Sequence, residues 1–183
     1  NKNEQLISSL PTNPFSKDKL LYFPRILSLC LAIHMAVGIH MVINDFLVPY
    51  SAGKETARYI KTNSWQDYPI FATRDVEVAA VAGYLDKEFY FPELKGYGSY
   101  AQWANRTSID RSKTLDEVQA YLDKYPTINK LLLVLSNNSS IKNLEPGKSI
   151  IFDKFTLFAD KKFDNSFHDS EIFYLYWVER NIE

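Results

Sequence analysis

Residues 26–43 read ILSLCLAIHMAVGIHMVI, eighteen positions without a charge, a proline or an asparagine. As a helix this run covers roughly 27 Å, and Phe46 to Val48 extend it toward the ~30 Å of a hydrocarbon core. Such a stretch is either a membrane span or a fully buried core helix. Core helices of that length usually keep a polar face, and here Ser28, His34 and His40 are the only polar interruptions. The sequence therefore predicts a transmembrane helix over residues 26–48, a polar loop over 1–25 and a folded domain over 49–183.

With 183 residues, that leaves enough chain after the span for one domain with a single core. A net charge of −1 and the lack of a basic run argue against nucleic acid as a partner. Cys30 is the only cysteine and lies inside the apolar run, so no internal disulfide and no thiolate metal site are available. The chain opens at Asn1, and Met35 and Met41 are its only methionines. A secretory signal fits poorly, because the apolar stretch starts late and no small-x-small cleavage site follows. The expectation is a segment of a longer polypeptide.

Lys17, Lys19 and Arg25 precede the run, whereas Lys54, Arg58 and Lys61 follow at greater distance. The positive-inside rule then places the N-terminal flank in the cytoplasm and the large domain outside it. Ser28, Ala32 and Ala36 recur every four residues, and His40 and Asn44 continue the series. Small and polar residues at this spacing suit packing against other membrane helices. Upstream helices of the same polypeptide are thus expected partners, together with the lipid bilayer.

Beyond Pro49 the pattern predicts a three-layer α/β domain with a mixed, mainly parallel sheet and a C-terminal antiparallel hairpin. Ser51 can cap a short amphipathic helix reaching about Lys61. Residues 70–73 (IFAT) form a short strand, and Asp75 caps a helix that Gly83 terminates. Residues 88–91 (EFYF) form a second strand stopped by Pro92. Gly96-Tyr97-Gly98 reads as a turn, and residues 99–104 as a third strand. Thr114-x-x-Glu117 is a capping box ahead of Val118, Tyr121 and Leu122 at helical spacing. Residues 130–135 (KLLLVL) are apolar on both faces, as a central strand requires. Residues 137–147 form a loop. Residues 150–158 and 172–178 form two terminal strands joined through the turn-rich stretch 164–169.

Chemistry-bearing motifs are sparse. His34 and His40 project about 120° apart around a helix, and His168 stands alone, so no metal site is expected. There is no nucleophile elbow, and Gly96-x-Gly98 lacks the third glycine and following helix of a dinucleotide site. The best local candidate is Arg74-Asp75-Val76-Glu77, at the carboxyl end of the first strand and the start of a helix. Ligands collect at that edge of open α/β sheets. Tyr97 and Trp103 add aromatic surface suited to stacking on sugar rings, and core packing explains such residues equally well. Arg74, Asp75, Glu77, Tyr97 and Trp103 are the candidate substrate-binding residues, and no catalytic residue is assigned. Asn105-Arg106-Thr107 and Asn137-Asn138-Ser139-Ser140 fit glycosylation sequons, which matter only in a eukaryotic secretory host.

The order of an apolar span, PYSAGKETARYIK, PIFATRDVEVAAVAGYLDKEFYFPE, GYGSYAQW and a closing EIFYLYWVE resembles a known architecture. It is similar to the C-terminal end of GT-C-type polytopic membrane glycosyltransferases related to the dolichyl-phosphate-mannose protein mannosyltransferases (family 39). The resemblance covers roughly residues 26–178. It implies a polyprenyl-phosphate-linked sugar donor, an active site facing outward and inverting transfer by direct displacement. It also implies a glycan or lipid-linked acceptor, and catalytic carboxylates in an upstream loop that this chain does not contain. The segment would bind no cofactor of its own and would serve as a non-catalytic, acceptor-side or structural module. A single-pass anchored sensor or ligand-binding domain is the alternative, and a soluble enzyme with residues 26–43 buried is a third reading.

Overall fold

The computed structural model describes residues 17–101, 103, 107, 109–137, 141 and 144–181. The chain divides into two compact units, Asn1–Leu47 and Val48–Glu183.

The first unit is helix α1, Lys17–Leu47. Within it Tyr22–Asn44, 23 residues, is long and apolar enough to cross a membrane, and none of its most apolar window is buried. The helix starts nine residues before the apolar run (26 − 17), so residues 17–25, expected as loop, are helical. Residues 1–16 of the expected loop lie outside the described residues. Polar groups in α1 find partners one turn away: His34 Nδ1 donates to the Cys30 carbonyl at 3.1 Å. Asn44 Nδ2 donates to His40 Nε2 at 3.0 Å. Each bond satisfies a side-chain donor within the helix itself.

The second unit is an α/β domain. Its elements run α2 (Gly53–Thr62), β1 (Ile70–Ala72), α3 (Asp75–Leu85), β2 (Phe89–Phe91), β3 (Gly96–Gly98), α4 (Thr114–Lys124), β4 (Lys130–Ser136), β5 (Ser149–Ile151), β6 (Phe155–Phe163) and β7 (Phe173–Arg180). The seven strands form one sheet in the order β3-β2-β1-β4-β7-β6-β5. β1 lies parallel to β2 and to β4, with Phe71 opposite Tyr90 and Leu133. The other four pairings, β2–β3, β4–β7, β6–β7 and β5–β6, are antiparallel. The sheet is therefore mixed as expected, but its parallel part is confined to three strands.

Two cores flank the sheet, and strand periodicity assigns them. On one face α2 and α3 bury Ile60, Val78 and Val81 against Ile70, Leu132, Val134 and Leu175. On the other, α4 buries Val118, Tyr121 and Leu122 against Phe71, Leu131, Leu133 and Tyr176. β4 feeds both, which is why KLLLVL shows no polar face: five consecutive side chains, Leu131 to Leu135, are fully buried. At about 1.5–3 kcal/mol per fully buried aliphatic side chain, this strand is a principal source of the domain's stability.

Four local expectations change. Gly83 does not end α3; the helix runs on to Leu85 and stops at Asp86, which takes the left-handed conformation (φ 54°, ψ 48°). Its N–H donates to the Gly83 carbonyl at 3.2 Å, the pattern of a C-terminal cap. Gly96-Tyr97-Gly98 is strand β3, because Phe89–Phe91 offers it an open edge, while residues 99–101 and 103 are not strand. Thr114 is the first residue of α4 and not its cap; a 3-10 turn, Arg111–Lys113, leads into the helix, and Lys113 occupies the cap position. The strand expected over 150–158 folds back on itself as the β5–β6 hairpin, closed by Phe152 N–H on the Phe155 carbonyl at 2.9 Å. Part of the 137–147 loop and both sequons include positions outside the described residues.

Candidate functional site

The strand β1 and the helix α3 meet at Thr73-Arg74-Asp75, where the chain must reverse direction within two residues. Arg74 makes that reversal in the left-handed region, at φ 64° and ψ 67°. A non-glycine residue held there costs of order 1 kcal/mol and persists only where its surroundings hold it. Here the Arg74 backbone N–H donates to Glu93 Oε1 at 2.6 Å. The Arg74 carbonyl accepts from Glu77 and Val78 N–H at 3.0 and 3.1 Å, which starts the helix.

Glu93 reaches Arg74 because β2 lies parallel to β1, so the carboxyl ends of both strands emerge side by side. Pro92 stops β2 and turns the chain into a 3-10 segment, Pro92–Leu94, that carries Glu93. Glu77 stands one turn into α3, and its Oε1 accepts from Arg74 Nε at 2.7 Å and from Nη2 as well. Its negative charge also complements the N-terminal end of the helix dipole. Asp75, in contrast, is completely buried.

These groups wall a cleft of about 480 Å³, within the range typical of small-ligand sites. Arg74, Val76 and Glu77 of the β1–α3 junction line it together with Trp103, Thr107 and Ile109 from the β3–α4 connection, and the buried Glu93 serves as its floor. Thr107 N–H donates to the Glu93 carbonyl at 2.9 Å, tying the connection between β3 and α4 to the end of β2. Trp103 is 78% exposed.

Among the described residues the lining carries one guanidinium and two carboxylates. Beside it, Glu171 is raised above the ordinary glutamate range, by burial first and by the neighbouring Glu77 charge, while Ser51 opposes the shift. Ser51 Oγ donates to Glu171 Oε2 at 2.8 Å and accepts the Gly53 N–H at 3.0 Å, fixing the start of α2. The arrangement offers acceptors for hydroxyl groups, a donor fork and an exposed aromatic face. Among the described residues no cluster of three metal-ligating side chains is present.

Of the five residues singled out in the sequence, Arg74, Glu77 and Trp103 line the cleft. Asp75, expected to cap α3, is instead its first residue and is buried beside them, while Arg74 holds the cap position. Tyr97 belongs elsewhere. It sits opposite Tyr90 in the β2–β3 pairing and so projects to the α4 face, where its hydroxyl meets Tyr121 Oη at 2.7 Å. Glu93 and Thr107 were not singled out. The one signal for Glu93 is its place directly after Pro92 at the end of a strand neighbouring β1.

No protein-family model matches the chain, and neither does any curated protein or solved structure. The functional reading therefore rests on this geometry and on the order of motifs along the sequence.

Proposed function

We propose that this chain is the C-terminal part of a GT-C-type integral membrane glycosyltransferase that draws on a polyprenyl-phosphate-linked sugar donor. In this reading α1 crosses the bilayer and the α/β domain faces the extracytoplasmic side. The domain is non-catalytic and holds the sugar-bearing acceptor through the cleft at the carboxyl ends of β1 and β2.

The observation behind the reading is the cleft lining, which combines the exposed residue Trp103 with the Arg74–Glu77 pair and the buried Glu93. A pyranose presents an apolar C–H face and a rim of hydroxyls. An aromatic plane serves the first, and charged hydrogen-bonding groups serve the second. Phosphate is a weaker fit, because the start of α3 already carries Asp75 and Glu77 as its anions.

The test uses the full chain in detergent micelles, titrated with neutral oligosaccharides of mannose, glucose, galactose and N-acetylglucosamine. Saturation-transfer NMR reads contact, and Trp103→Ala reports on the site. At least one sugar should show transfer in the parent protein and lose most of it in the variant. Absence of transfer from every sugar, or transfer equal in both proteins, refutes the reading.

A single-pass anchored binding domain is the second reading. It is favoured by the fact that every cleft-lining residue falls between Arg74 and Ile109, inside one compact unit. Loss of lipid-linked sugar transfer in membranes of cells lacking the gene separates the two, since only the glycosyltransferase reading predicts it.

A further inference from the structure

Two residues after α1, the chain passes through Pro49 and Tyr50, and a distant loop is fastened to it there. Phe167 N–H donates to the Pro49 carbonyl at 2.9 Å. His168 N–H and Ser166 Oγ both donate to the Tyr50 carbonyl, at 3.3 and 2.7 Å. The Tyr50 and His168 rings lie 5.4 Å apart, tilted by 37°. The outcome is a small aromatic patch whose large apolar members face solvent: Tyr50 is 58% exposed and Phe167 57%.

We infer that this patch, Tyr50 with Phe167 and His168, is a bilayer-interface anchor that seats the 164–168 loop in the lipid headgroup layer. The inference rests on α1 crossing the membrane, as proposed above. Chain length then sets the depth. Consecutive residues reach at most about 3.3–3.6 Å, so the Pro49 carbonyl lies within about 7–8 Å of Leu47, the last residue of α1. The headgroup layer is roughly 5–8 Å thick on each side of the hydrocarbon core. A loop hydrogen-bonded to Pro49 and Tyr50 therefore lies at headgroup depth. Rings with an apolar body and a polar edge favour that layer, which is why aromatic belts mark membrane interfaces. The side-chain chemistry agrees, because Tyr50 and His168 supply a hydroxyl and an imidazole and Phe167 an apolar ring. The last residues of α1, Phe46 and Leu47, are themselves apolar and strongly exposed.

The loop has no other evident reason to expose a phenylalanine. It joins β6 to β7 and its backbone is already held by Pro49 and Tyr50. A polar residue at position 167 would serve a purely connecting loop equally well. The occupant is lipid and not protein, because the patch is tied to the chain at the point where it leaves the span.

The test places single nitroxide labels on the full chain in phosphatidylcholine nanodiscs, in a Cys30→Ser background. Labels at Phe167→Cys and Tyr50→Cys are compared with one at Ile151→Cys, exposed on the edge strand β5, and one at Val37→Cys inside α1. Accessibility to oxygen against a water-soluble nickel chelate reads depth. The expected result is interfacial depth at 167 and 50, water-like values at 151 and hydrocarbon depth at 37. Hydrocarbon depth at 37 with water-like values at both 167 and 50 overturns the anchor alone. Water-like values at 37 overturn the membrane reading, and the anchor with it.

Discussion

The backbone N–H of Arg74 donates to Oε1 of Glu93 at 2.6 Å, so a side chain from the end of β2 holds the left-handed residue that links β1 to α3. Cleft floor and turn geometry are therefore one structure. A hydrogen bond to a charged partner contributes about 1.5–3 kcal/mol, and losing a buried acceptor costs a similar amount. Glu93→Ala is expected to lower Tm by roughly 3–10 °C in a thermal melt of the detergent-solubilised chain. Glu93→Gln, which keeps an acceptor oxygen, should lose less than half as much.

Gly83 sits in the interior of α3, and a Cβ placed on it meets nothing within 4 Å. Gly83→Ala should stabilise the domain by about 0.5–1 kcal/mol, through lower backbone entropy in the unfolded chain. Three residues on, Asp86→Gly should gain about 0.5 kcal/mol by relieving the left-handed cap. Chemical denaturation of the two single variants measures both gains. A loss at Gly83 would show that the helix ends there after all.

Glu171 supplies a pH signature. Its protonation equilibrium in the folded protein lies above the ordinary 4.5, raised by burial and by Glu77. Below 4.5 the group is protonated in both folded and unfolded chains, and its contribution is fully present. As pH rises, the unfolded chain ionises first, so stability falls until the pH has passed the raised folded value. Glu171→Gln should remove that fall. Melting curves between pH 4 and 7.5 should show the variant gaining on the parent protein as pH increases.

α1 makes its own prediction. Gly38 lies inside the apolar span Tyr22–Asn44, with open space around it. An arginine at the centre of a span costs about 2.5–3.5 kcal/mol on insertion scales. Gly38→Arg should shift a large share of the chain from the alkali-resistant membrane pellet to the supernatant. Equal pelleting of both proteins would count against a bilayer location for α1.

Much of the fold was legible because it follows from local periodicity. The unbroken apolar run of β4 marks a strand buried on both faces, and the i, i+3, i+4 spacing of Val118, Tyr121 and Leu122 marks α4. What the sequence hides is set by pairing. Gly96-Tyr97-Gly98 has the composition of a turn and becomes a strand because β2 needs an outer partner. The same register sends Tyr97 to the α4 face, so it does not join Trp103 in the cleft as the expected aromatic surface. Glu93 enters the site through the parallel β1–β2 contact, which no residue near it announces. Arg74 and Glu77 were found because a strand-to-helix junction is readable locally. The positive φ that fixes their geometry was not, since arginine gives no sign of it.

The position of β7 bears on how the protein is made. Among the described strands it comes last in chain order, yet it lies inside the sheet, with β4 on one side and β6 on the other. Until Phe173–Arg180 has left the ribosome, the two neighbours expose hydrogen-bonding edges that only that segment fills. The nascent chain must therefore wait in an open state, and quality-control factors that recognise bare strand edges have their longest window on this domain just before its completion.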